Sequence, residues 1–253
     1  DLGVLAPEKA RDFLIERTGR TNEADACAAL AKELGYLPLA LEQAGAYIDE
    51  VSVSIDTYRR LLSKAAETVL GRPAPGSTQY SDPVLATWRT TIDKLAPESR
   101  AILRLCAWYA DTPIPTALIL NGADDVLAVA AKFGEVTPRP ESDAATEARL
   151  REAIGGLKRY SMILDVTDES FRLHGLVQAV ERLQAAKDGY AVDERGQALE
   201  RLTSIFPHAL RDISQWPLCR QLMPHQQTLI GHLESAFTNA TLADLWDRIG
   251  SFL

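Results

Sequence analysis

Apolar residues recur at three- and four-residue intervals along nearly the whole chain, the period of an amphipathic helix. Pro7 opens a first helix with Ala10, Phe13 and Leu14 on one face, and Gly19 is its stop. Thr21 is placed to cap a second, in which Cys27, Leu30, Ala31 and Leu34 follow helical spacing up to Gly35. A third starts at Pro38 and aligns Leu37, Leu41, Ala44 and Ile48. A fourth runs from about Ser54 with Ile55, Tyr58, Leu62, Ala65 and Val69. Four helices with matching apolar faces predict one small bundle over residues 1–70.

The pattern breaks at Gly71-Arg72-Pro73-Ala74-Pro75-Gly76-Ser77-Thr78, where Pro and Gly oppose both helix and strand. Residues 71–80 therefore read as a linker. A second region, 81–190, begins with Leu85, Trp88, Ile92 and Leu95, then a helix from Pro97 carrying Ile102, Leu105, Cys106 and Tyr109. Pro113 and Pro115 bracket a turn into a short helix around Leu118 and Ile119. Residues 134–146 read as a polar loop before a helix with Leu150, Ile154 and Leu157. Met162–Val166 and Phe171–Leu173 flank the polar turn Thr167-Asp168-Glu169-Ser170 and predict the one good hairpin. A helix with Leu176, Val177, Val180 and Leu183 follows. Helices, a hairpin and a closing helix give the layout of a winged helix-turn-helix. The third region, 191–253, is helical again, with Leu199, Leu202 and Ile205 on one stripe and Leu242, Leu245, Trp246 and Ile249 on another. Trp216–Cys219 and Leu222–His225 punctuate it. The expected fold is mainly α: a four-helix domain, a winged-helix domain and a helical connector that begins a repeat array.

Composition narrows the function classes. At 253 residues the chain has room for two or three small domains. Its net charge of −8 disfavours a dedicated nucleic-acid binder. Cys27, Cys106 and Cys219 lie far apart without a Cys-x-x-Cys pair, so they read as core thiols of a reducing cytosol. No stretch is long and apolar enough for a membrane span. The chain starts at Asp1 rather than Met and ends at Leu253 within an apolar helical pattern, the expectation for a piece of a longer protein.

No loop of the form Gly-x-x-x-x-Gly-Lys-Ser/Thr cradles a phosphate here, and no Gly-x-Ser-x-Gly, His-Glu-x-x-His or kinase motif occurs. His174, His208, His225 and His232 lack metal-ligand spacing, and the last two, seven apart, read as surface or interfacial residues. No catalytic constellation emerges. Two positions stand out. Leu37 and Pro38 offer a flat apolar surface against which an adenine ring can lie, although Pro at a helix start also has a purely structural reason. His174, between the hairpin and the next helix, can donate to a phosphate oxygen, best when protonated, or simply bond nearby backbone.

Gly35-Tyr36-Leu37-Pro38-Leu39-Ala40-Leu41 resembles the Gly-Leu-Pro-Leu-Ala-Leu motif of STAND-class signalling NTPases, whose nucleotide domain is called NB-ARC. Leu173-His174-Gly175-Leu176-Val177-Gln178 resembles their Met-His-Asp motif. The stretch Trp88–Leu95, the helix from Pro97 and Tyr160–Leu164 are similar to the winged-helix domain of bacterial NB-ARC proteins with tetratricopeptide repeats. Trp216–His225 resembles the connector before those repeats. The resemblance implies that Pro38 packs on adenine, that His174 contacts the ADP β-phosphate, and that ADP or ATP belongs to a parent protein rather than to this chain. It implies as partners an upstream nucleotide-binding domain, downstream repeats and self-oligomerisation. Tyr36 departs from the usual Leu, and Gly175 from the Asp after the His. Two other readings stay open. One is a DNA-binding winged-helix regulator reading through residues 147–158, with Arg149, Arg151, Lys158 and Arg159 on phosphates. The other is a helical scaffold that recognises proteins.

Overall fold

The computed structural model describes residues 4–70, 88–135, 142–207 and 213–233. The chain is mainly helical, with one small three-stranded antiparallel sheet. It divides into two compact units: Asp1–Leu95 with Arg159–Ser161, and Ala96–Lys158 with Met162–Leu253. The expected linker, 71–80, the residues Leu85, His208 and the stripe Leu242–Ile249 lie outside the described residues.

The first unit contains α1 (Pro7–Thr18), α2 (Ala24–Glu33), α3 (Pro38–Val51) and α4 (Ile55–Leu70). Gly19 ends α1 in the left-handed conformation, φ 68°, which costs a residue without a Cβ nothing. Thr21 does not cap α2. It starts a short 3-10 turn, Thr21–Glu23, and α2 begins only at Ala24. Glu23 instead accepts the backbone N–H of Ile55 at 2.9 Å, while Ser54 accepts that of Thr57 at 3.2 Å. Both serve the orphan donors at the start of α4. Helix α3 is buried at Ala40, Leu41 and Gln43–Ile48, with Glu42 half-buried, so most of its circumference lies in the core of the unit. Arg17 crosses α3 at Gly45, where a Cβ would come within 2.6 Å of its Cγ. Its guanidinium reaches Glu42 and Asp49, at 3.1 and 3.2 Å, a turn to either side.

The second unit contains α5 (Pro97–Cys106), β1 (Ile114–Pro115), α6 (Ala117–Leu120), α7 (Ala123–Ala130), α8 (Asp143–Arg159), β2 (Ile163–Leu164), β3 (Ser170–Leu173), α9 (Gly175–Asp188), α10 (Ala191–Ile205) and α11 (Trp216–His232). The run Ala101–Tyr109 is buried throughout. Its free carbonyls are served by α9: the Gln178 amide donates to Cys106 and Tyr109, at 3.1 and 3.0 Å, and Arg182 donates to Ala107 at 2.5 Å. Three expectations change. Ile114 and Pro115 form a strand, not a turn, and β1 pairs antiparallel with β3 in the order β1-β3-β2. Pro is tolerated because β1 is an edge strand. Asp143 already begins α8, so the last four residues of the expected loop are helical. Helix α11 is continuous, with Pro217 in its first turn and Pro224 inside it.

Candidate functional site

Leu37 and Pro38 owe their placement to a two-residue reversal. Gly35 and Tyr36 both take positive φ, 62° and 57°. For Tyr36 this conformation costs on the order of 1 kcal/mol. Two hydrogen bonds hold it: the Tyr36 N–H donates to Ala31 at 3.0 Å, and the Leu5 N–H donates to the Tyr36 carbonyl at 2.9 Å. Leu37 then becomes the extended N-cap of α3, and Pro38 fills the first turn, where its missing N–H leaves no bond unmade. Tyr36, Leu37, Pro38 and Leu39 are all half-buried, whereas Ala40 and Leu41 are buried. The helix start therefore presents a short apolar ledge while the next turn enters the core.

His174 belongs to the second unit and is the single residue between β3 and α9. Its carbonyl accepts the Gln178 N–H at 3.1 Å, which closes the first turn of α9. The imidazole is half-buried. Burial lowers its proton affinity, Asp111 raises it and Arg172 lowers it, with a net shift downward. Asp111 comes to this junction from just ahead of β1. In the β1–β3 ladder Ile114 faces Phe171 and Pro115 faces Ser170. Asp111 lies three positions before β1, in a bend, and its carboxylate comes to the start of α9, where a Cβ on Gly175 would lie 2.9 Å from Oδ2. Strand β1 itself replaces the expected turn. The signal was Ile114-Pro115 itself, masked by two prolines that suit an edge strand as well as a turn.

Of the two histidines on α11, His232 is half-buried and His225 is not a surface residue. His225 is fully buried in α11, with Nε2 3.0 Å from the Pro113 carbonyl and its ring against Tyr109. A helix can be apolar on that face because α11 packs on β1, so the spacing of His225 and His232 carried no information about exposure. Cys27, Cys106 and Cys219 are all buried and unbridged, and burial pushes the Cys27 thiol up to about 11. Among the described residues no group of three or more His, Cys, Asp or Glu could hold a metal ion, and no helix is long and apolar enough to cross a membrane. On α8, Arg149 is bonded to Glu98, and Arg151 pairs with Glu147 at 2.7 Å.

No family model matches the chain. A protein of the fungus Hyaloscypha variabilis, described as a nucleotide-binding leucine-rich repeat (NLR)-like protein, is 27% identical over 256 residues. The match covers 94% of this chain and 23% of that protein, so the chain spans less than a quarter of its relative's length. A likeness of this size supports distant kinship with NLR and NB-ARC proteins, and nothing finer.

Proposed function

We propose that the chain is the regulatory part of a nucleotide-dependent signalling switch, contributing to the closed, ADP-bound state of a longer parent protein. One observation carries the reading: the NLR-like relative matches 94% of the chain, a span that must include both Leu37-Pro38 and His174. In this reading the apolar ledge at the start of α3 lies against the adenine ring. His174, at the positive end of α9, donates to a phosphate oxygen. The second unit, with a hairpin leading directly into a helix, acts as a winged helix whose role is closure rather than DNA reading. The chain itself catalyses nothing, since a phosphate-cradling loop belongs to the parent's upstream domain. Its partners are that domain, the segments beyond α11 and further copies of the parent, all within the cytoplasm. ADP favours the closed state only through tighter binding to it than to the open one.

The test is His174→Ala in the parent. Basal signalling rises and co-purified ADP falls. Unchanged ADP retention together with unchanged basal output would contradict the assignment.

A further inference from the structure

Gly175 opens α9, and the space where its side chain would stand is taken. A Cβ built there would lie 2.9 Å from Asp111 Oδ2 and 3.4 Å from its Cγ. A Cβ at this position would make the carboxylate shift away from the first turn of α9. The same carboxylate acts on His174, raising its proton affinity. The segment that carries it is held from the far side: two residues on, the Pro113 carbonyl lies 3.0 Å from Nε2 of buried His225.

We propose that Asp111 is the positioning residue for His174: its carboxylate, admitted by the bare Cα of Gly175, sits at the α9 N-terminus and keeps a negative charge beside the imidazole. Three physical effects converge there. The first turn of α9 has backbone N–H groups without helical partners and favours an anion. A carboxylate beside an imidazole favours its protonated form, offsetting part of the burial. Arg172, two residues back along β3, opposes it, so the charge balance at His174 is set between Asp111 and Arg172. The carboxylate that a side chain at 175 could have supplied locally is supplied instead from 64 positions upstream, from the bend ahead of the edge strand.

The consequence for function rests on the phosphate-contact reading: Asp111 offsets part of the burial of His174, and so raises the protonated fraction that can donate to the phosphate. The test does not use nucleotide. Imidazole resonances of the 253-residue chain are titrated by NMR, with His174→Gln assigning the signal. Asp111→Asn is expected to lower the His174 midpoint by about half a unit or more. Gly175→Ala is expected to lower it similarly, because the added Cβ displaces the carboxylate while alanine suits a helix start. Combining the two adds little to either alone. Should Asp111→Asn fail to fold, Gly175→Ala gives the result on its own. A midpoint within about a tenth of a unit of the wild type in the folded variants overturns the proposal. That outcome would leave the nucleotide reading standing, and loss of the nucleotide reading would leave the Asp111–His174 pair standing.

Discussion

Tyr36 shows how a single residue can hold a locally unfavourable backbone that sets the start of a helix. A non-glycine at φ 57° directly after a glycine at φ 62° is strained backbone, kept in place by bonds to Ala31 and Leu5. The strain sets the entry angle of α3 and so leaves Leu37 and Pro38 half-buried at its start. Tyr36→Gly removes the side-chain penalty but frees the unfolded chain. Stability should therefore change by less than about 1 kcal/mol in urea denaturation, while Tyr36→Pro, which cannot reach positive φ and lacks the donor to Ala31, should destabilise by about 3 kcal/mol or more. His225 makes the complementary case at a buried position. Burial holds its pKa below the ordinary value of 6.5. The unfolded chain therefore binds the proton first, and stability falls as pH drops below about 6.5. His225→Gln should weaken that dependence, seen as a flatter midpoint-versus-pH curve in denaturation.

Elements are held together by side chains that no local pattern announces. Arg201 of α10 is 4% exposed, donates twice to the Leu118 carbonyl at 3.2 and 2.6 Å, and pairs with Asp125 at 3.0 Å. It passes over Gly122, where a Cβ would fall 1.3 Å from Nη1. Gly122→Ala should evict a bonded, buried guanidinium and cost about 2 kcal/mol. Gly231, inside α11 with nothing within 4 Å of a built Cβ, should instead gain up to about 1 kcal/mol as alanine. Urea midpoints of both variants check the pair. The contrast also explains what could be read from pattern alone. Helix faces and the starts at Pro7, Pro38 and Pro97 follow from spacing and proline chemistry, and the structure has helices beginning at those residues. Strand β1 was hidden because two residues carry no periodicity and both neighbours of Ile114 are proline. The length of α11 was hidden because Pro224 reads as a breaker, whereas a packed helix tolerates one missing donor. At the site, His174 was legible from its place after the hairpin. Asp111 was not, because it lies more than sixty residues away in sequence and only the fold brings it to the start of α9.

At the scale of the molecule, the second unit contains a buried cluster of charge. Arg104 pairs with Glu181 at 2.9 Å, Asp188 at 3.1 Å and Glu194 at 3.2 Å, joining α5, α9 and α10. Its neighbour Arg100 stacks on Phe133. Three carboxylates share one guanidinium, and burial with two like charges pushes Glu181 up to about 7. The folded state thus holds a proton that the unfolded state releases above about 4.5. The contribution of Glu181 to stability should be fully present below that value and be lost as pH rises toward about 7, opposite in sign to that of His225. Glu181→Gln should flatten this decline, and a denaturation series across that range measures it. Because α9 carries both this cluster and the His174 junction, the helix that offers its N-terminus to an anion is anchored at its other end by ion pairs. In the proposed function, Leu37-Pro38 and His174 serve a bound nucleotide in a larger switch. The most direct measurement is the ADP content of the parent protein after purification, released by denaturation and quantified by chromatography. The account predicts near-stoichiometric ADP in the wild type and marked loss in both Pro38→Ala and His174→Ala. Equal ADP in all three, or none in any, would contradict it.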